Sequence, residues 1–146
     1  MITYKHGDIF ESNEKIIAHG CNCSGGFGSG IAKTISELYP VVKSEYILKH
    51  SVEGWQLGET SIVKCSETPE RYIVNCATQQ TYGAPDKGPY VSYVAIRKVI
   101  RSLVKQFPEG FAIPKIGAGL AGGNWDIIAK IIEEESGNTE VRVYAL

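Results

Sequence analysis

Two glycine-rich stretches constrain this chain more than any other feature, because each sits between a β-rich run and a helical one. The first follows Lys15–His19 (KIIAH) and places Gly25, Gly26, Gly28 and Gly30 just ahead of a helical pattern that starts at Ile31. The second follows Phe111–Ile116 and carries Gly117, Gly119, Gly122 and Gly123 ahead of Trp125. Glycine at such density lets a backbone adopt positive φ and pass close to a ligand, at an entropic cost. Long irregular segments inside a compact domain are usually functional.

The rest of the pattern predicts strands over Ile2–Lys5, Lys15–His19, Thr60–Cys65, Arg71–Ala77, Phe111–Ile116 and Val141–Leu146. Apolar spacing predicts helices over Ile31–His50, interrupted by Pro40, and over Val91–Phe107 and Trp125–Glu135. Val91, Val94, Ala95, Val99, Leu103 and Phe107 form one stripe, and Ile127, Ile128, Ile131 and Ile132 are expected in the core. Gly137-Asn138 stops the last helix. Strands alternating with helices define an α/β protein, with a largely parallel or mixed sheet covered on both faces. In such sheets the ligand crevice lies at the carboxyl ends of the strands, which is where both glycine stretches fall.

At 146 residues the chain is expected to form one domain, residues 1–146, able to bury roughly 70% of its unfolded surface without disulfides. The formal net charge is −1. That argues against a broad nucleic-acid surface, which needs clustered cations, but not against a small anionic ligand held by backbone amides. Met1–Asp8 has no apolar leader core, and no run approaches the ~20 apolar residues of a membrane span. A cytoplasmic, monomeric protein is the expectation. Cys21, Cys23, Cys65 and Cys76 form no Cys-x2-Cys pair and meet no histidine cluster, so reduced thiols, no metal and no cofactor are expected.

Gly117, Gly119 and Gly122 match the G-x-G-x-x-G spacing of dinucleotide-binding turns. That fingerprint opens the first βαβ unit of its fold, whereas only one helix and one strand follow here. What survives is the physical content: amides exposed by glycines at a helix N-terminus cradle an anion, which suits a diphosphate. A second pattern is a decoy. Cys65 and Arg71 have the Cys-x5-Arg spacing of cysteine phosphatases, but the intervening Glu67, Pro69 and Glu70 repel phosphate or withhold a donor. The segment is a hairpin turn.

Taken together, these residues resemble the macro domain family along essentially the whole chain. Gly7-Asp8-Ile9 resembles the motif whose Asp holds an adenine amino group. Cys21-Asn22 through Gly30-Ile31-Ala32 resembles the loop around the distal ribose, with Asn22 as the ribose ligand. Pro114-Lys115-Ile116-Gly117 through Trp125 resembles the phosphate loop, and Val143-Tyr144-Ala145-Leu146 the family's last strand. The resemblance implies a three-layer α/β/α fold around a central mixed sheet, and ADP-ribose or ADP-ribose-1''-phosphate as ligand. It implies ligand contacts from Asp8, Ile9, Asn22, Phe27, Gly28, Ser29, Gly30 and Ile31, then from Ile116, Gly117, Ala118, Gly119, Leu120, Ala121 and Gly122, and from Tyr144. Phe27 and Tyr144 have core placement as their alternative.

His19-Gly20-Cys21-Asn22 with Gly119-Leu120-Ala121-Gly122-Gly123-Asn124-Trp125 is most similar to the stand-alone ADP-ribose-1''-phosphate phosphatases. That branch implies removal of the 1''-phosphate, with Asn22 orienting the ribose and His19 as an acid or base. From position alone, His19 reads equally as a satisfied core histidine. Related glycohydrolases use a Lys after the fourth strand and an Asp in the phosphate loop. This chain has Cys76-Ala77-Thr78-Gln79-Gln80 and Ala121 there, which argues against lysine-based covalent chemistry. A non-catalytic ADP-ribose binding module, and a hydrolase of ADP-ribosyl esters or related signalling nucleotides, are the competing readings.

Overall fold

A computed structural model describes residues 1–84 and 87–146. The strands are β1 (Ile2–His6), β2 (Ile16–Asn22), β3 (Thr60–Glu67), β4 (Glu70–Gln79), β5 (Phe111–Ile113) and β6 (Val141–Ala145). The helices are α1 (Gly30–Leu38), α2 (Pro40–Val52), α3 (Tyr93–Gln106) and α4 (Trp125–Ser136). The six strands lie in the order β1-β6-β5-β2-β4-β3. The β3–β4 pair is antiparallel and every other pair is parallel.

The sheet separates two apolar layers, because successive strand residues point to opposite faces. Ala18, Val74 and Cys76 pack with Ile96, Ile100, Leu103, Ile128 and Ile132 of α3 and α4. Ile17, Ile73 and Ala77 pack with Ile35, Val42 and Tyr46 of α1 and α2. This is the three-layer α/β/α arrangement around a mixed sheet.

Several boundaries move for identifiable reasons. Pro40 ends one helix and serves as the first residue of the next, since proline at that position costs no hydrogen bond. β2 runs on to Asn22 because its parallel partner continues, pairing Cys21 with Ala77 and Asn22 with Gln79. Ser92 caps α3 by accepting from the Ala95 amide at 3.1 Å. Gly137 ends α4 at φ +55°. Two core assignments are corrected: Val94 is 75% exposed because it points away from the Ala95, Ile96, Val99, Ile100 and Leu103 face of α3, and Ile127 is 44% exposed at the margin of the α4 face.

The topology positions the ligand site. β2 and β5 are neighbours in the sheet, yet β2 feeds α1 on one face and β5 feeds α4 on the other. Where adjacent strands send their chains to opposite faces, a crevice opens at their carboxyl ends.

Candidate functional site

That crevice is a cleft of about 540 Å³, walled by both glycine stretches. Asn22, Phe27, Gly28, Ser29, Gly30 and Ile31 line it from the first stretch. Ile116, Gly117, Gly119, Leu120 and Ala121 line it from the second. The loops meet at one point, where a Cβ on Gly30 would lie 3.3 Å from Leu120 Cδ1. Ala118 and Gly122 do not face the cleft. Their amides close the turn itself, donating to the carbonyls of Lys115 at 3.2 Å and Gly119 at 3.0 Å.

The N-terminus of α1 points its unpaired amides into this region. Ser29 sits at the cap position in extended conformation but makes no side-chain cap hydrogen bond. The first-turn donors therefore retain both capacity and partial positive charge for an anion. This is stronger anion-binding equipment than the sequence alone suggested for the first loop.

Asn22 is held in place by its own loop. Its Oδ1 accepts from the Ser24 amide and hydroxyl at 3.0 Å each, from the Gly26 amide at 3.1 Å and from the Tyr46 hydroxyl at 2.9 Å. Its Nδ2 donates to the Gly26 carbonyl at 2.8 Å, which leaves one N–H of the side-chain amide for another partner. Tyr46 is fully buried. Its hydroxyl donates to the Asn22 carbonyl at 2.7 Å and accepts from the Gly25 amide at 3.1 Å. Its ring lies 4.9 Å from that of Phe27 and 5.4 Å from that of Trp55. One phenol thus fixes Asn22, the loop amides and Phe27 together. We predict that Tyr46→Phe lowers folding stability by about 1–2 kcal/mol in urea titrations, since it removes the buried hydrogen bonds to Asn22 and leaves the half-buried Gly25 amide without its partner. It should also weaken ADP-ribose binding severalfold by calorimetry.

His19 lies outside the lining. It is fully buried, its ring packs edge-on to Phe27 at 5.5 Å, and Nε2 donates to Asn75 Oδ1 at 2.6 Å. Burial pulls its pKa down from 6.5 to about 4, against an upward pull from the Asn75 hydrogen bond. Cys21 lines the cleft, with Sγ 3.6 Å from His19 Nε2 and 3.8 Å from Asn75 Oδ1. The trio resembles a thiol relay in composition only. Sulfur and carboxamide both approach the same ring nitrogen, so neither His19 nor Asn75 stands behind the other. Burial raises the Cys21 pKa well above its ordinary value, which leaves the thiol protonated and unreactive.

Asp8, Ile9 and Tyr144 cluster beside the cleft without lining it. Asp8 caps a short 3-10 turn, accepting from the Phe10 amide at 2.9 Å through Oδ1. Ile9 is buried in the same apolar layer as Phe27, against which Ile31 and Tyr144 also pack. The Tyr144 hydroxyl donates to Glu14 Oε2 at 2.7 Å.

Sequence reasoning missed the wall supplied by the end of β4. Thr78, Gln79, Tyr82 and Gly83 line the cleft because β4 lies directly beside β2 in the sheet, an order that spacing does not encode. The Thr78 hydroxyl is buried and has no hydrogen-bond partner among the described residues. It lies so close to Gly20 that a Cβ there would sit 2.6 Å away. Lys115 is the one Lys, Arg, His, Asp or Glu on the lining among the described residues. No group of three or more His, Cys, Asp or Glu that could hold a metal ion occurs among the described residues.

Fold and site define an α/β switch-point cleft lined mainly by glycine-rich backbone, with Lys115 as the one Lys, Arg, His, Asp or Glu on its wall among the described residues. The Macro domain model matches residues 18–132, and the chain belongs to the macro domain family. It is 32% identical over 151 residues to an uncharacterised 17.5 kDa protein from the tk-vs intergenic region of Enterobacteria phage T4, covering 97% of this chain and 94% of that one. It is 25% identical over 174 residues to an ADP-ribose 1''-phosphate phosphatase of Saccharomyces cerevisiae, covering 99% and 98%. The solved macrodomain of Thermus aquaticus DarG superposes with a TM-score of 0.83 over 100% of this chain and 99% of that one. At 22% identity that likeness speaks for the fold alone.

Proposed function

We propose that the cleft binds ADP-ribose and that the protein removes the 1''-phosphate from ADP-ribose-1''-phosphate. The observation that carries this reading is the convergence of two glycine loops and an uncapped helix N-terminus on one cleft. Such a surface offers an anion several amides at once. In this reading the diphosphate lies between the Gly117–Ala121 turn and the start of α1. Asn22 orients the distal ribose with its spare N–H, and the adenine sits toward Asp8, Ile9 and Tyr144. The likeness to the yeast phosphatase along nearly the full length of both chains supports the phosphomonoester as substrate.

The role of His19 in this scheme is indirect. A neutral imidazole beneath the cleft supports Phe27 and Asn75, while transfer to water runs on positioning and on amides that stabilise the developing charge. One observation favours a second reading, that of an ADP-ribose binding module. Among the described residues no carboxylate or histidine lines the cleft to move a proton. Phosphate release from ADP-ribose-1''-phosphate separates the two. Turnover by the wild type, retained within about threefold by His19→Gln, is the expected result. Tight ADP-ribose binding by calorimetry with no phosphate release would establish the binding module instead.

A further inference from the structure

Arg71 is an unusual occupant of a protein interior. It is 4% exposed and pairs with no carboxylate among the described residues. Its guanidinium is satisfied almost entirely by one loop, the β1–β2 connection. Nε donates to the Glu14 carbonyl at 2.9 Å, Nη1 to the Phe10 carbonyl at 3.1 Å, and Nη2 to the Ser12 carbonyl at 2.5 Å. Nη1 also donates to the Tyr39 hydroxyl at 3.1 Å, at the α1–α2 junction. Only a rigid planar fork of five donors can reach carbonyls spread over five residues at once.

The loop so gripped carries the adenine end of the proposed site, in two directions from Arg71. Phe10, whose carbonyl Arg71 holds, gives its amide to Asp8 Oδ1, and Asp8 Oδ2 makes no hydrogen bond among the described residues. Glu14, whose carbonyl Arg71 also holds, accepts from the Tyr144 hydroxyl at 2.7 Å and from Arg142 at 2.7 Å. We infer that Arg71 is the positioning residue for base recognition, setting Asp8 and, through Glu14, Tyr144 against a 6-aminopurine. The inference rests on the ADP-ribose reading and goes beyond it, because Arg71 itself never meets the ligand.

The test compares ADP-ribose with its hypoxanthine counterpart, inosine diphosphate ribose, by calorimetry on the full chain. The two ligands differ at the base alone. A carboxylate accepts from a 6-amino group and repels a 6-oxo group, so the wild type should prefer ADP-ribose by about tenfold or more. Arg71→Lys, which keeps the charge but replaces the fork with a point donor, should shrink that preference to within about twofold. In an Asp8→Asn background the same substitution should change the preference no further, because the Asp8 carboxylate alone distinguishes the 6-amino from the 6-oxo base, whereas Tyr144 bears on both ligands alike. If Arg71→Lys shows no cooperative melting transition, Arg71→Gln carries the same comparison without the buried charge. A variant that binds both ligands more weakly but keeps the wild-type ratio overturns the inference and leaves the ADP-ribose reading standing. A wild type that binds neither ligand overturns both.

Discussion

Gly117→Val is expected to abolish ADP-ribose binding and to lower folding stability by about 2–5 kcal/mol. Two independent costs add at this position. Gly117 has φ +77°, a left-handed conformation that charges an L-residue roughly 1–2 kcal/mol and a β-branched one more. A Cβ there would also lie 2.8 Å from Val91 Cγ2 and 3.1 Å from Ile128 Cδ1. Overpacking of that kind costs about 1–3 kcal/mol. The turn cannot keep its path, and the amides that face the cleft move with it. Urea titration gives the stability change and calorimetry the binding. Gly119→Ala is the control for stability. It has neither positive φ nor any atom within 4 Å of its Cβ position, so stability should stay within about 0.5 kcal/mol of wild type. Undiminished ADP-ribose affinity in Gly117→Val would remove the phosphate-loop assignment.

Acidification should destabilise the protein well before its carboxylates titrate, and His19 is the reason. In the unfolded chain His19 takes up a proton near its ordinary 6.5, while in the folded protein it does so only near 4. Between these values the unfolded state binds more protons, so stability rises with pH and is lost as pH falls. Above about pH 7 both states carry neutral histidine and the full stability is present. The total at stake is about 3 kcal/mol, of which about 2 kcal/mol should disappear between about pH 7 and about pH 5. Glu14, Glu70, Glu135 and Glu140 all have pKa values lowered by hydrogen bonds or ion pairs that outweigh their desolvation. Their losses begin as the pH falls into the ordinary carboxylate range, near about pH 5, and leave the window above it to histidine. His19→Gln keeps a polar contact to Asn75 and has no proton to gain, so it should flatten the slope. Parallel stability–pH curves for wild type and His19→Gln would rule this out.

Most of the fold was legible because the periodicities were clean. KIIAH announced a buried strand, and Pro40 and Gly137 marked breaks that the backbone respects. Of the stripe predicted for the third helix, Ala95, Val99 and Leu103 are buried in α3, while Val91 and Phe107 flank it and pack on the same layer. The errors at Val94 and Ile127 have different causes: Val94 points away from the buried face of α3, where an apolar residue was mistaken for a stripe member, while Ile127 sits at the margin of the α4 face, whose width spacing alone does not give. The site was legible in part. Glycines report their own positions, so both loops could be named. The β4 wall could not, because Thr78 and Tyr82 join the cleft only through strand order. Arg71 was missed for a related reason: a lone arginine at the start of a strand gives no hint that three carbonyls some sixty positions earlier will converge on it. His19 was the ambiguous case, and its place beneath the lining, in contact with Phe27 and Asn75, gives its core reading a physical basis.

The engagement of Asn22 by Ser24, Gly26 and Tyr46 means that the first loop carries a surrogate occupant of its own. A side-chain carboxamide already threads the turn and holds its amides on a common centre, much as a bound group would. The conformational entropy that a glycine-rich segment would otherwise surrender on meeting a ligand is thereby lost during folding instead. Flexible composition and a rigid receptor are compatible here because one amide side chain converts the first into the second.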